Sequence, residues 1–318
     1  MTTTMKKSNS VDIKFTKELP KVELHAHLSG SISRQCLHEI WQRKKTQDPD
    51  FPIEDPLILM PPGKVDYTLQ TFFQVFSKLI YQLCNDLETI AYATNSLLED
   101  FLKDGVRYLE LRTIPRPSPG TNISREAYLN TILETIDRFK AKTQEMSVFL
   151  ILAVDRGNST PEEANEIIDL AIANMPRGVV GVDLCGNPTQ GDVTIYRNVF
   201  ARAKSHGLGL TLHFAETRAS ATPVELEALL SFQPDRLGHV IHVPDEVKET
   251  DDVGFFCSPV SNEYLLAAQH FGLDREDLLR IAKRSVESIF GGEKEKERLR
   301  NLLVNLPIHD IDIGTSLS

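Results

Sequence analysis

The stretch VELHAHLSGSI, residues 22–32, alternates side chains as a strand does and then breaks into Ser and Gly, as a strand does on entering a loop. His25 and His27 stand two apart, so both imidazoles leave the strand on one face and can reach one cation. LTLHFAE, residues 210–216, repeats the design: His213 closes an apolar run and Glu216 follows three residues later. A lone His on an apolar face is ordinarily a satisfied core residue. Three histidines and an acid gathered at two strand ends instead make the donor set of a metal-dependent hydrolase.

Working outward, six apolar runs bounded by turn residues read as strands: 22–28, 106–113, 148–156, 179–186, 210–216 and 236–243. Helical patterns at 125–142, 161–174, 192–206 and 223–230 fall between them. Strand and helix in alternation imply an α/β fold with parallel strands and crossover helices. The polar residues come at the C-terminal ends of the runs: His25 and His27, Arg112, Asp155, Asp183 with Gly186, His213 with Glu216, and His239. Parallel α/β barrels carry their active sites on that face.

The first connection, residues 33–105, is long and holds a Pro-rich stretch followed by two Phe- and Leu-patterned helical segments. That spacing is first of all a core-packing pattern, in a position that also suits a pocket cover. Residues 262–290 predict a helical pair split at Gly272, and KEKERLRNLL at 294–303 predicts a solvated amphipathic helix.

A chain of 318 residues with 41% hydrophobic and 25% charged residues is expected to form one catalytic domain, residues 17–306, between a disordered tail at 1–16 and a tail at 307–318. The net charge of −10 argues against a nucleic-acid partner, because that affinity rests largely on neutralising phosphates. No apolar run approaches the roughly 20 residues that span a bilayer, and the first residues lack the apolar core of a secretory signal. A cytoplasmic monomer without membrane contact is the expectation. Cys36, Cys84, Cys185 and Cys257 form no CxxC pair and read as reduced thiols outside the chemistry.

With these segments in place, the chain resembles the adenosine deaminase family, and within it the adenosine deaminase-like branch, the N6-methyl-AMP deaminases. The resemblance is carried by ELPKVELHAHLSGSI, DGVRYLELRTIPRP, VVGVDLCGNP, LHFAE, DRLGH and TDDVGFFCSPVSNEYLLAA, in the family's order from Glu18 to Ala268. It implies a TIM-type (β/α)8 barrel of the metal-dependent hydrolase type with one Zn2+ per chain. It implies His25, His27, His213 and Asp251 as zinc ligands, Glu216 as proton donor and His239 as the residue that orients or deprotonates water. Asp252 and the Gly186 N–H would hold the purine, and His27, Ser29, Ile114, Pro115, Arg116, Pro117, Asp155 and Gly186 would line the substrate site. The implied reaction converts N6-methyl-AMP and water to IMP and methylamine, with adenosine as the alternative substrate.

Those residue types suit that chemistry, since Zn2+ lowers the pKa of a bound water to about 7 and a carboxylic acid with a raised pKa can protonate purine N1. Arg116 is the candidate for a 5′-phosphate, because a guanidinium meets phosphate oxygens in a planar fork. Ser29 departs from the branch, which usually has Asn there. A broader amidohydrolase shares the HxH strand, but LHFAE and TDD favour deamination. The lack of His-x-Glu and Pro-Cys-x-x-Cys argues against the cytidine-type deaminases.

One spacing breaks the pattern. His239 and Asp251 stand twelve positions apart, where the family places two more strands with their helices. Six strands are therefore expected, with an opened or rebuilt barrel wall. This motivates a third reading, a non-catalytic form that binds a purine or a partner.

Overall fold

The inner and outer faces of the strands have opposite chemistry, and that difference shapes the molecule. In the computed structural model, which describes residues 10–61, 73–242 and 259–306, the strands are β1 (Lys21–His27), β2 (Val106–Thr113), β3 (Ser147–Asp155), β4 (Val179–Cys185), β5 (Gly209–Phe214) and β6 (Arg236–His239). They form one parallel sheet in the order β1-β2-β3-β4-β5-β6. Leu109, Leu111, Leu150, Leu152, Val182, Leu184, Leu210 and Leu212 join the main hydrophobic cluster with residues of the surrounding helices. The alternate residues Tyr108, Glu110, Arg112, Asp183 and His213 contact one another, directly or through β6 and β1, across the inside of the curl. Period two thus sends apolar side chains outward to the helices and polar ones inward.

The crossover helices begin where the sequence supplies caps. Ser124 caps Arg125–Lys142, Thr160 caps Pro161–Ala173 in a capping box with Glu163, and Thr222 caps Pro223–Leu230. Arg197–Ser205 supplies the crossover between β4 and β5. In the long first connection, Leu87–Lys103 buries Ile90, Ala93, Leu97, Leu98 and Phe101, so this segment serves core packing.

Curling is visible in bonds between strands that are not neighbours. Arg236 of β6 pairs with the fully buried Glu110 of β2, four places away in the sheet. Glu110 also accepts from Tyr108 Oη at 2.6 Å and from the Phe290 N–H at 2.6 Å. The Phe290 ring lies over Gly181 and Gly209, where a Cβ on Gly209 would stand 2.7 Å from it. Arg236 stacks on the same ring at 3.7 Å. Phe290 therefore plugs the N-terminal end of the sheet's interior.

A second cluster packs Val260–Phe271, Arg275–Glu287 and Glu293–Val304 beneath that end, with Phe15 and Leu19. The split between the first two helices falls at Gly272, which takes φ 65°. Of the boundaries that differ from the sequence reading, two have a visible cause. A helix at Ile13–Glu18, capped by Asp12, starts inside the stretch read as tail, because Phe15 is buried against the C-terminal helices and the buried Lys21 amine bonds the Thr16 and Leu19 carbonyls. Strand β6 stops at His239 rather than running to 243, since His239 and Val240 have φ of 62° and 56°, left-handed values that end an extended ladder. Among the described residues, no helix is long and apolar enough to cross a membrane.

Glu110 holds Arg236, Tyr108 and the Phe290 backbone at once, so Glu110→Ala leaves the Arg236 guanidinium, only 13% exposed, without its counter-charge. The expected loss of unfolding free energy is about 3–5 kcal/mol, measured by urea denaturation. A loss below about 1 kcal/mol contradicts the role given to this buried pair.

Candidate metal centre

Curling of the sheet brings the end of β1 against the end of β5. His25 Nε2 lies 3.2 Å, and His27 Nε2 3.0 Å, from His213 Nε2. One ring nitrogen from each of the three histidines lies within 4.8 Å of the others. His25 is buried and the other two are partly buried. Ring nitrogens crowded this closely are a donor set for a divalent cation of borderline softness, and zinc fits it.

The other nitrogen of His213 faces a carboxylate. Nδ1 lies 3.2 and 3.1 Å from the two oxygens of Asp183, which is fully buried. Arg112 Nη1 donates to Asp183 Oδ2 at 3.2 Å, and Nη2 donates to the Leu24 carbonyl. Burial alone would raise the Asp183 pKa; His213 and the Arg112 guanidinium outweigh it and hold this carboxyl well below the usual range. Sequence reading placed Asp183 and Arg112 at strand ends without making either a site residue. The available signal was a charged residue at an inward position of an otherwise apolar strand.

His239 comes into the same cluster, its ring centroid 4.9 Å from that of His25 and 5.0 Å from that of His213. This approach requires glycine at 238, where a Cβ would stand 2.4 Å from His25 Cε1. Glu216 is partly buried, just beyond β5. Asp251 and Asp252 lie outside the described residues.

The expected substrate-lining residues gather at the ends of β1, β2, β3 and β4. Asp155 accepts from the Gly157 N–H at 3.0 Å and from Asn158 Nδ2 at 2.9 Å. Gly186 turns beside it at φ 105°, where a Cβ would stand 2.6 Å from Asp155 Oδ1. Arg116 stacks on the Tyr81 ring at 4.1 Å and approaches Asp155 at 3.7 Å. Ser29 meets the Tyr81 hydroxyl from the short helix after β1. Burial raises the Tyr81 pKa despite Arg116 and Ser29, so it stays a neutral phenol. Pro115 is buried, with its carbonyl taken by Arg125, while Ile114 is partly buried and Pro117 exposed. Sequence reading had no signal for Tyr81, whose neighbours are set by the path of the long connection.

The remaining nucleophile candidates are quiet. Cys185 is buried beside Asp183 and Asp155, and burial pushes its thiol well up, which keeps it protonated. Cys36 and Cys84 are also free thiols; Cys257 lies outside the described residues. His242 and His270 are exposed, away from any expected role.

The adenosine deaminase family profile matches residues 20–249. The N6-methyl-AMP deaminase of Danio rerio is 33% identical over 344 aligned positions, covering 92% of this chain and 96% of that protein. Because 344 exceeds the 318 residues of this chain, the relative carries residues that this chain lacks. The crystal structure of the Arabidopsis N6-mAMP deaminase superposes with a TM-score of 0.83 at 28% identity, covering 92% of this chain and 100% of that one. Arabidopsis ADAL complexed with IMP gives the same TM-score and identity, covering 92% and 98%.

Three convergent imidazoles predict zinc uptake that depends on each of them. His213→Ala is expected to weaken zinc binding by more than the roughly 10–100-fold typical of losing an outer partner, in competition titrations against a chromophoric chelator. Affinity within threefold of the parent chain contradicts the assignment.

Proposed function

This chain belongs to the adenosine deaminase family, and on that premise we propose that it is a zinc-dependent hydrolase converting N6-methyl-AMP and water to IMP and methylamine. The observation that carries the reading is the His25, His27 and His213 triad at the C-terminal ends of β1 and β5. Its support comes from relatives named N6-methyl-AMP deaminase and from an Arabidopsis neighbour complexed with IMP, the product of this reaction.

The three imidazoles would hold the cation, with Asp251 as the fourth ligand that the family pattern implies. When bound, zinc supplies Lewis acidity that brings the pKa of a water to about 7. His239, against His25 and His213, orients the attacking water and takes its proton. Glu216 protonates purine N1 as C6 becomes tetrahedral. The C6–N6 bond then breaks: methylamine leaves with the proton that His239 took, and the remaining hydroxyl proton returns to Glu216 as C6=O forms. The Gly186 N–H and Asp252 align the ring, while the Ile114 to Pro117 turn and Ser29 border the ribose phosphate.

Arg116 decides between nucleotide and nucleoside. Its pair with Asp155 is 3.7 Å long and the guanidinium is 37% exposed, a geometry worth about 0–1 kcal/mol. A charge-assisted fork to a phosphate dianion contributes about 1.5–3 kcal/mol, so phosphate displaces the carboxylate. Adenosine is the second reading, favoured by the fact that Arg116 already has an acidic neighbour.

The zinc-loaded chain is expected to release methylamine from N6-methyl-AMP with a higher kcat/KM than from N6-methyladenosine. Arg116→Ala should lower kcat/KM for the nucleotide about 10- to 100-fold, mostly through KM, and leave the nucleoside unchanged. Equal loss on both substrates contradicts the phosphate role, and zinc uptake without turnover supports a non-catalytic binder.

A further inference from the structure

We infer that Arg112 and Asp183 act together as a positioning pair that sets the spacing between the two halves of the metal centre, an inference that rests on the metal reading above. The His25 and His27 donors come from β1 and the His213 donor from β5, and these strands sit at opposite sides of the sheet order. Arg112 and Asp183 span that interval from inside. One nitrogen of the Arg112 guanidinium donates to the carbonyl of Leu24, the residue immediately before His25, and another donates to Asp183 Oδ2 at 3.2 Å. Asp183 in turn faces His213 Nδ1 at 3.1 Å. A continuous path therefore runs from the backbone beside the first ligand, through β2 and β4, to the back of the third.

Chemistry makes this more than a core ion pair. An imidazole that offers Nε2 to a cation carries its proton on Nδ1, and a carboxylate held at Nδ1 fixes both that tautomer and the ring plane. A carboxylate alone in that place would be free to turn; Asp183 is held by a guanidinium whose planar fork is anchored on β1. Side-chain exposures of 2% for Arg112 and 0% for Asp183 keep the arrangement out of bulk solvent. The residues touch neither the purine nor the reacting atoms. Their effect passes through His213 and His25.

Zinc affinity of the full chain, measured by chelator competition, tests this on the parent, Asp183→Asn, Arg112→Lys and the double variant, beside thermal unfolding of the metal-free proteins. Each single change is expected to weaken zinc binding about 10- to 100-fold while the metal-free chain stays folded. Because the pair acts as one unit, the double variant should fall no further than the weaker single variant, within about threefold. Cobalt-loaded Asp183→Asn should show a shifted visible absorption band. Single variants that hold zinc within threefold of the parent, or losses that simply add in the double variant, overturn the inference. Failure of the near-isosteric Asp183→Asn to fold also overturns it, by making the pair a core element. A parent chain that takes up no zinc overturns this inference and the metal reading together, whereas a zinc-binding parent with unaffected variants leaves the metal reading standing.

Discussion

Imidazoles from β1 and β5 can share a site only if the sheet curls far enough to bring strands four places apart within hydrogen-bond distance. A flat six-stranded sheet would separate them by about four strand spacings, close to 20 Å. The curl is held from both sides. Outside, leucines of β2 to β5 pack on crossover helices; inside, Glu110 meets Arg236 and Arg112 meets Asp183 across the interior. The histidine cluster is thus a consequence of closure, and the inner ion pairs are its internal struts.

Those struts explain why charges are tolerated in a place that excludes water. A buried ion pair by itself is weak evidence for stability, since desolvation can cancel its attraction. Here each member has further partners: Glu110 accepts from Tyr108 and Phe290, and Arg112 also donates to a β1 carbonyl. Held by several partners, the groups fix geometry at one position each. At the N-terminal end they hold the Phe290 plug, and at the C-terminal end they hold the back of His213.

Much of this was legible before any coordinates. Periodicity located all six strands and the crossover helices, because apolar runs bounded by turn residues report local preferences directly. The pairing of HAH with LHFAE anticipated that His25, His27 and His213 meet in one cluster. What stayed hidden depends on tertiary placement. Alternation says that Asp183 and Arg112 point inward, yet not that they meet each other behind His213. Tyr81 lies under Arg116 only because of the path of the long first connection. The early end of β6 follows from left-handed φ values at His239 and Val240, residues with no glycine to announce them.

The arrangement forms in a chain that lacks residues its Danio rerio relative carries. The His25 ring of β1 nevertheless reaches β6, where Gly238 accommodates it. The central claim is that two strands on opposite sides of the sheet supply one cation with three imidazoles. X-ray absorption at the zinc edge of the loaded chain tests it most directly. The account predicts a first shell containing three imidazole nitrogens at about 2.0–2.1 Å; a shell with thiolate sulfur at about 2.3 Å, or one of oxygen alone, would contradict it.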